Sequence, residues 1–277
     1  MLHVDQFVTS VVDETVGILA KADEGGGGSD DGSVDTKEVE RAADTYQGRL
    51  LKVGISKEEA VAQCKDLVFA GTDSTGMNLA SCCWFLAGYP EKYSRLRAEV
   101  ISAPPTTDPQ TLPYLSAVIK ETLRLGMANP TLLPRVVPPG PGFLVPGTST
   151  LLPPGTTVGL CTYTLHHNPT VFKDPFRFAP ERWIAGEGVD GEEGDMETML
   201  RDYFPFGLGA RMCIARNLAM QELFLAVRAL VSEDVLKAAR RVGGRKGSEG
   251  EVVDEVEIME WFNSKVKGER IEICWDA

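Results

Sequence analysis

The sequence predicts a mainly α protein with small β sheets, and three observations lead there. Stretches opening near residues 4, 112 and 214 place their apolar residues at spacings of three and four, the helical period, and a further stretch runs from Ser56 to Gly88 unbroken by proline. Between Asn129 and Gly159 the texture changes to proline, glycine and short apolar runs, as in strands and turns. The composition, 43% hydrophobic and 25% charged, is that of a soluble globular protein, and 277 residues bury enough surface for a core without disulfide staples.

In chain order, residues 1–20 read as an amphipathic helix with Val4, Phe7, Val8, Val11, Val12, Val16 and Leu19 on one face. Residues 21–36, with Gly25 to Gly28 in a row, read as a flexible linker, and residues 37–277 as the main domain. Ser56 and Glu59 have the spacing of a capping box, and the helix they open is stopped by Gly88, Tyr89 and Pro90. Its centre, Ala70 to Gly76, consists mostly of poor helix formers. Such a centre suits either a bend around a ligand or close packing through small residues. Pro90 to Val100 and Leu112 to Met127 read as helices, the second burying Leu115, Val118, Ile119, Thr122 and Leu123. Strand-like runs follow at Arg135 to Val137, Phe143 to Val145 and Thr156 to Val158. Gly186 to Thr198 is acidic and glycine-rich, an exposed stretch. Ile214 to Val231 is a helix with Leu218, Leu223, Val227 and Leu230 inward, and Val256 to Met259 and Ile271 to Trp275 close the pattern as strands.

Charge narrows the function. Twenty-eight Lys and Arg against 40 Asp and Glu give a net charge of -12, which argues against nucleic acid as a partner. The N-terminus carries acids where a signal peptide would be apolar, so secretion is not expected. The six cysteines are expected as thiols, and neither adjacent pair, Cys82 with Cys83 or His166 with His167, points both side chains at one metal.

The chemistry concentrates in Phe204-Pro205-Phe206-Gly207-Leu208-Gly209-Ala210-Arg211-Met212-Cys213, which runs directly into the Ile214 helix. A cysteine there faces unpaired backbone amides and the positive end of a helix dipole, with an arginine nearby; all three favour a thiolate, a soft anionic metal ligand. The ordinary alternative is a buried core cysteine. Glycines 207 and 209 let the loop fold back so that its amides aim at the sulfur.

Phe206, Gly209, Arg211 and Cys213 match the signature F-x-x-G-x-R-x-C, and here the sequence resembles the haem-thiolate cytochromes P-450. Three further signatures of that family occur in its order. Ala70 to Thr75 resembles the oxygen-binding [AG]-G-x-[DE]-T-[TS], Glu121 and Arg124 stand in the E-x-x-R relation, and Pro180 to Trp183 resembles the P-E-R-[FW] turn. The resemblance runs from about Gly48 to the end, has a filamentous-fungal texture, and implies an incomplete cytochrome P-450 fold: the haem-binding C-terminal half, without the N-terminal part.

It implies roles residue by residue. Cys213 would be the axial ligand of the iron in haem b. Arg211 and Arg135 would pair with its propionates, and Phe206 would pack near the sulfur. Ala70 and Gly71 would leave room for O2, while Asp73 with Ser74 and Thr75 would deliver protons; the family usually has threonine where Ser74 stands, and serine lacks the methyl that fixes the rotamer. Glu121, Arg124 and Arg182 would form a structural triad. The implied activity is a monooxygenase that inserts one atom of O2 into a small apolar organic substrate, with electrons from NADPH through an NADPH-cytochrome reductase. The alternative is a truncated, non-catalytic remnant that binds haem or another protein. Arg201, Arg211 and Arg216 form a local basic face for an acidic reductase. Full-length relatives are expected on the endoplasmic reticulum membrane facing the cytosol. With the N-terminal part absent, an exposed apolar patch is expected over Leu67, Phe69, Phe85 and Leu223.

Overall fold

A computed structural model describes residues 2–24, 35–243, 245–246, 252–253, 258–259, 264–268 and 270–275. The chain divides into two compact units, Met1–Thr72 and Asp73–Ala277, the boundary falling inside one long helix. No helix among the described residues is long and apolar enough to cross a membrane.

The first unit contains α1 (Leu2–Glu24), α2 (Thr36–Asp44), α3 (Tyr46–Lys52) and the start of α4 (Lys57–Gly88). Val8, Val12 and Ala60 form its small core. Phe7, expected on the apolar face, is instead 61% exposed. The predicted linker loses Lys21–Glu24 to α1, and the rest of it lies mostly outside the described residues.

The long helix begins where the sequence places it, because the Ser56 hydroxyl accepts the Glu59 amide proton at 3.2 Å. α5 (Pro90–Ser102) then opens with proline at its first position, where no amide is missed. α6 (Pro113–Gly126) also begins with proline, and its next two amides are capped from a distance: those of Tyr114 and Leu115 each donate to a different Glu99 carboxylate oxygen at 2.8 Å. Met127, left-handed at φ 36°, ends it.

β1 (Leu132–Val136), β2 (Phe143–Leu144), β3 (Leu151–Leu152) and β4 (Thr157–Cys161) supply the expected strands; β1 pairs antiparallel with β4, Arg135 opposite Val158, and β2 with β3. After α7 (Thr162–His166), α8 (Met196–Arg201) and α9 (Arg216–Ser232) come β5 (Ala239–Val242), β6 (Arg245–Lys246), β7 (Val252–Val253), β8 (Ile258–Met259), β9 (Lys265–Val266) and β10 (Glu272–Trp275). These pair β5 with β10, β6 with β7 and β8 with β9. Part of the strand expected from Val256 falls outside the described residues.

The core of the second unit lies where α5, α6, α9 and the later turns of α4 meet, around Phe85, Leu96, Leu115, Ile119, Leu223 and Val227. That placement corrects the expected apolar patch: Leu67 and Phe69 are exposed, but Phe85 is buried and stacks on Phe178 with centroids 4.9 Å apart, and Leu223 is buried as well. It also corrects Leu218, expected inward and found exposed, because α9 turns Leu223, Val227 and Val231 towards α5 and α6.

Candidate functional site

The cysteine loop hangs between Phe204 and the first turn of α9. Gly207 and Gly209 take φ of +75° and +70°, the left-handed region that glycine occupies without strain, and they fold the chain back on itself. The return is fixed by three backbone bonds: the Gly207 amide to the Phe204 carbonyl (3.0 Å), the Met212 amide to the Gly209 carbonyl (3.0 Å) and the Cys213 amide to the Phe206 carbonyl (2.9 Å). α9 begins at Arg216, two residues later than expected, with no side-chain cap on its amides. Cys213 is exposed rather than buried, which sets aside the core-cysteine alternative, and Phe206 is half-buried against the main core.

Around the thiol the chain presents apolar surface to solvent. Leu208, Met212 and Leu218 are exposed and Ile214 is fully so, a hydrophobic flank of the kind that marks a ligand surface. β1 borders the loop: a Cβ on Gly207 would lie 3.8 Å from a Leu133 methyl. Residues two apart on a strand share a face, so Arg135 is on the Leu133 side of β1. Arg211, at the end of the 3-10 turn Gly209–Arg211, and Arg135 are both exposed, and neither has a carboxylate partner among the described residues. Arg135 Nη1 donates to the Pro134 carbonyl at 2.8 Å. Of the three arginines of the expected basic face, Arg201 pairs with Asp202 at 2.7 Å, whereas Arg216 is exposed and keeps its charge 3.8 Å from the neutral Met212 sulfur.

A buried polar cluster connects to the start of this loop through His166. Arg124 donates from Nε and Nη2 to the two oxygens of Glu121, 2.9 Å each, and Arg182 Nε donates to Glu121 at 2.9 Å. The Ala179 amide (3.0 Å) and the Trp183 indole N–H (2.9 Å) complete five donors on one carboxylate. The spare guanidinium protons are taken by main-chain carbonyls: Arg124 Nη1 reaches those of His166 (2.7 Å) and Pro175 (2.6 Å), and Arg182 Nη1 that of Lys173 (2.9 Å). Two cations thus bind the irregular segment 173–183 to one face of α6. The i, i+3 spacing shows the first pair in the sequence; Trp183, inside the same P-E-R-W turn, was the signal for the fifth donor.

His166 is a site residue that spacing alone misses. It is fully buried between Arg124 and the start of the cysteine loop, and burial, then the Arg124 charge, push its pKa down to about 3. Burial alone would raise Glu121, but the charges of Arg124 and Arg182, with the bonds from Arg124 and the Ala179 amide, outweigh it and hold that carboxyl at about 2. Both values lie below the ordinary 6.5 and 4.5, so the unfolded chain binds more protons, and the stability each group contributes is complete above its ordinary value and lost as pH falls towards the folded one. Urea unfolding should therefore weaken by about 1.4 kcal/mol per pH unit from His166 once pH drops below its ordinary value, and more steeply once Glu121 joins. In His166→Gln the first of these limbs should be flat.

The weak centre of α4 stays helical. The Thr72 hydroxyl donates back to the Val68 carbonyl at 2.6 Å, and the Ser74 carbonyl accepts from the Asn78 amide group at 2.9 Å. A Cβ on Gly71 or Gly76 would meet nothing within 4 Å among the described residues. Ala70, Gly71 and Asp73 are exposed, Ser74 and Thr75 half-buried, and Asp73 makes no ion pair among the described residues.

The profile of the family described as cytochrome P450 matches residues 33–240. The cytochrome P450 monooxygenase mfmF of Annulohypoxylon moriforme is 44% identical over 234 residues, covering 83% of this chain and 43% of that protein. The cytochrome P450 monooxygenase AKT7 of Alternaria alternata is 36% identical over 204 residues (69% and 38%), and apf8 of Gibberella fujikuroi, also a cytochrome P450 monooxygenase, 35% identical over 204 residues (71% and 54%). The chain spans about half the length of these fungal relatives or less. With the family profile covering most of its length, the chain belongs to the cytochrome P450 family.

Proposed function

We propose that this chain is the haem-binding part of a haem-thiolate monooxygenase that inserts one atom of O2 into an apolar organic substrate, using electrons that originate in NADPH and arrive through a separate reductase. One observation carries the reading: Cys213 stands exposed on a loop pinned by its own amide, ahead of an uncapped helix, among exposed apolar side chains. A flat apolar ligand with one soft metal position and two anionic tails fits that surface. Cys213 Sγ would hold the iron, Leu208, Met212, Ile214 and Leu218 would bury against the macrocycle, and Arg211 and Arg135 would take the propionates. Each apolar side chain so covered contributes up to about 1.5–3 kcal/mol to binding.

Bound haem supplies oxygen activation, and thiolate ligation favours O–O cleavage. The protein supplies the rest. The triad of Glu121, Arg124 and Arg182 holds the backbone of segment 173–183 and of His166 against α6. Asp73 Oδ and the Ser74 and Thr75 hydroxyls would supply protons through water, since successive residues of α4 do not face one another. Ala70 and Gly71 keep bulk off that helix. Serine at position 74 makes the relay looser than threonine would.

Titration of the purified chain with haem tests the reading. The expected result is one haem per chain and a thiolate-type carbon monoxide difference spectrum, with NADPH oxidation once a reductase is added. A folded chain that takes up no haem overturns it.

A further inference from the structure

The deepest histidine of the fold is bonded at both ring nitrogens, and each bond goes to a different part of the site. His166 Nδ1 lies 3.2 Å from the carbonyl of Arg124, and its Nε2 lies 3.1 Å from the amide nitrogen of Phe204. A carbonyl can only accept and an amide N–H can only donate, so one tautomer satisfies both: the proton sits on Nδ1 and Nε2 is a bare acceptor. The grip on α6 is double, because Arg124 Nη1 returns a bond to the His166 carbonyl at 2.7 Å. The ring is stacked on Tyr203 (centroids 5.3 Å apart, planes at 19°), whose hydroxyl donates to the Lys120 carbonyl at 3.2 Å.

Phe204 is the first residue of the cysteine loop. Its amide is held by His166 while its carbonyl accepts from the Gly207 amide at 3.0 Å, and from there the loop closes through Phe206 and the Cys213 amide at 2.9 Å. No other bond ties the backbone of Phe204, Phe206 or Cys213 to the buried cluster among the described residues. The Tyr203 hydroxyl fixes the position of the preceding side chain; His166 fixes the loop's own main chain.

We propose that His166 is the positioning residue of the cysteine loop: its neutral imidazole bridges the C-terminal end of α6 to the amide of Phe204 and so sets where Cys213 is presented. The proposal rests on the reading of Cys213 as the iron ligand. Arg124 then has two connected roles, one through its side chain to Glu121 and one through its carbonyl to His166.

Two variants separate the bridge from mere packing. Asparagine places an N–H donor where Nδ1 stands and keeps the Arg124 carbonyl, but cannot reach Phe204. Glutamine places an acceptor oxygen where Nε2 stands and keeps the Phe204 amide. Both lose the ring, so the lost stacking is common to them. Amide hydrogen exchange of the metal-free chain reads the loop without any haem. In His166→Asn, exchange at Gly207 and Cys213 should be roughly tenfold faster while α6 keeps its protection, and in His166→Gln the loop should exchange as in the parent. Unchanged loop exchange in His166→Asn, or equal acceleration in both variants, overturns the proposal. If His166→Asn does not fold, His166→Gln decides alone: a protected loop supports the bridge and an accelerated one overturns it. After haem loading, the thiolate-type fraction of the carbon monoxide spectrum should fall several-fold in His166→Asn and not in His166→Gln. Absence of that spectrum in the parent chain would count against the haem-thiolate reading, whereas parent-like loop exchange in His166→Asn counts against the bridge.

Discussion

Cys213→Ser removes the thiolate-type carbon monoxide spectrum of the haem-loaded chain and leaves its stability within about 0.5 kcal/mol of the parent. The two halves of that expectation come from the same observation. The side chain is exposed and makes no hydrogen bond among the described residues, so exchanging sulfur for oxygen disturbs no packing and strands no partner. What holds this position is its main-chain amide, bonded to the Phe206 carbonyl at 2.9 Å, and serine keeps that bond. The change is therefore confined to the donor atom. A hydroxyl remains protonated at neutral pH and is a hard, poor ligand for haem iron, so the characteristic push of electron density is lost even if some haem stays bound through apolar contact and the two arginines. Urea unfolding followed by circular dichroism supplies the first measurement and the difference spectrum the second. An unaltered spectrum in a properly folded serine variant would mean that iron is held elsewhere. A large loss of stability would mean that this thiol is a packing residue after all.

Much of this was legible in the sequence, and the parts that were not have physical reasons. Helix starts and stops written in local chemistry were readable: the Ser56 cap, the Pro90 and Pro113 first turns, the Gly88-Tyr89-Pro90 stop. So was the buried face of α6, where Leu115, Val118, Ile119, Thr122 and Leu123 are all buried as their spacing predicts. α9 was misread at Leu218 because its apolar residues cover more than one face. Leu223, Val227 and Val231 meet the chain's own core, whereas Leu218, nearer the cysteine, faces solvent, and a period of three or four cannot say which apolar residue meets protein. The short helices α2, α3, α7 and α8 were missed because a helix of two turns carries too little periodicity to register. His166 stayed hidden for another reason. Its partners are 42 and 38 residues away, and its value lies in one tautomer between two backbone groups, which no residue pattern encodes.

Glu121→Gln destabilises the second unit by about 3–5 kcal/mol, a large share of the about 5–15 kcal/mol that holds an ordinary domain folded. The substitution keeps volume and shape, so the loss measures charge and donor balance. Glu121 accepts from five donors on two oxygens, and the carboxylate's negative charge is set against two guanidinium ions that are, like it, almost completely buried. Glutamine offers one accepting oxygen and turns an N–H towards groups that can only donate. At least two of the five donors lose their partner in a place water does not reach, and two like charges face each other uncompensated. Arg124→Lys should cost less, about 2–4 kcal/mol, because the positive charge remains while the two-pronged bond to Glu121 and the bonds to the His166 and Pro175 carbonyls cannot all be kept by one ammonium group. The order of the two effects is the decisive part. If the cluster acts as a charge-balanced anchor, removing the single anion is worse than shortening one cation's reach; a mere set of surface-like pairs would give less than about 1 kcal/mol for either. Urea midpoints at constant slope provide the comparison, and haem uptake should fall in the same order, since the segment 173–183 and the cysteine loop are both hung from the face of α6 that this carboxylate holds.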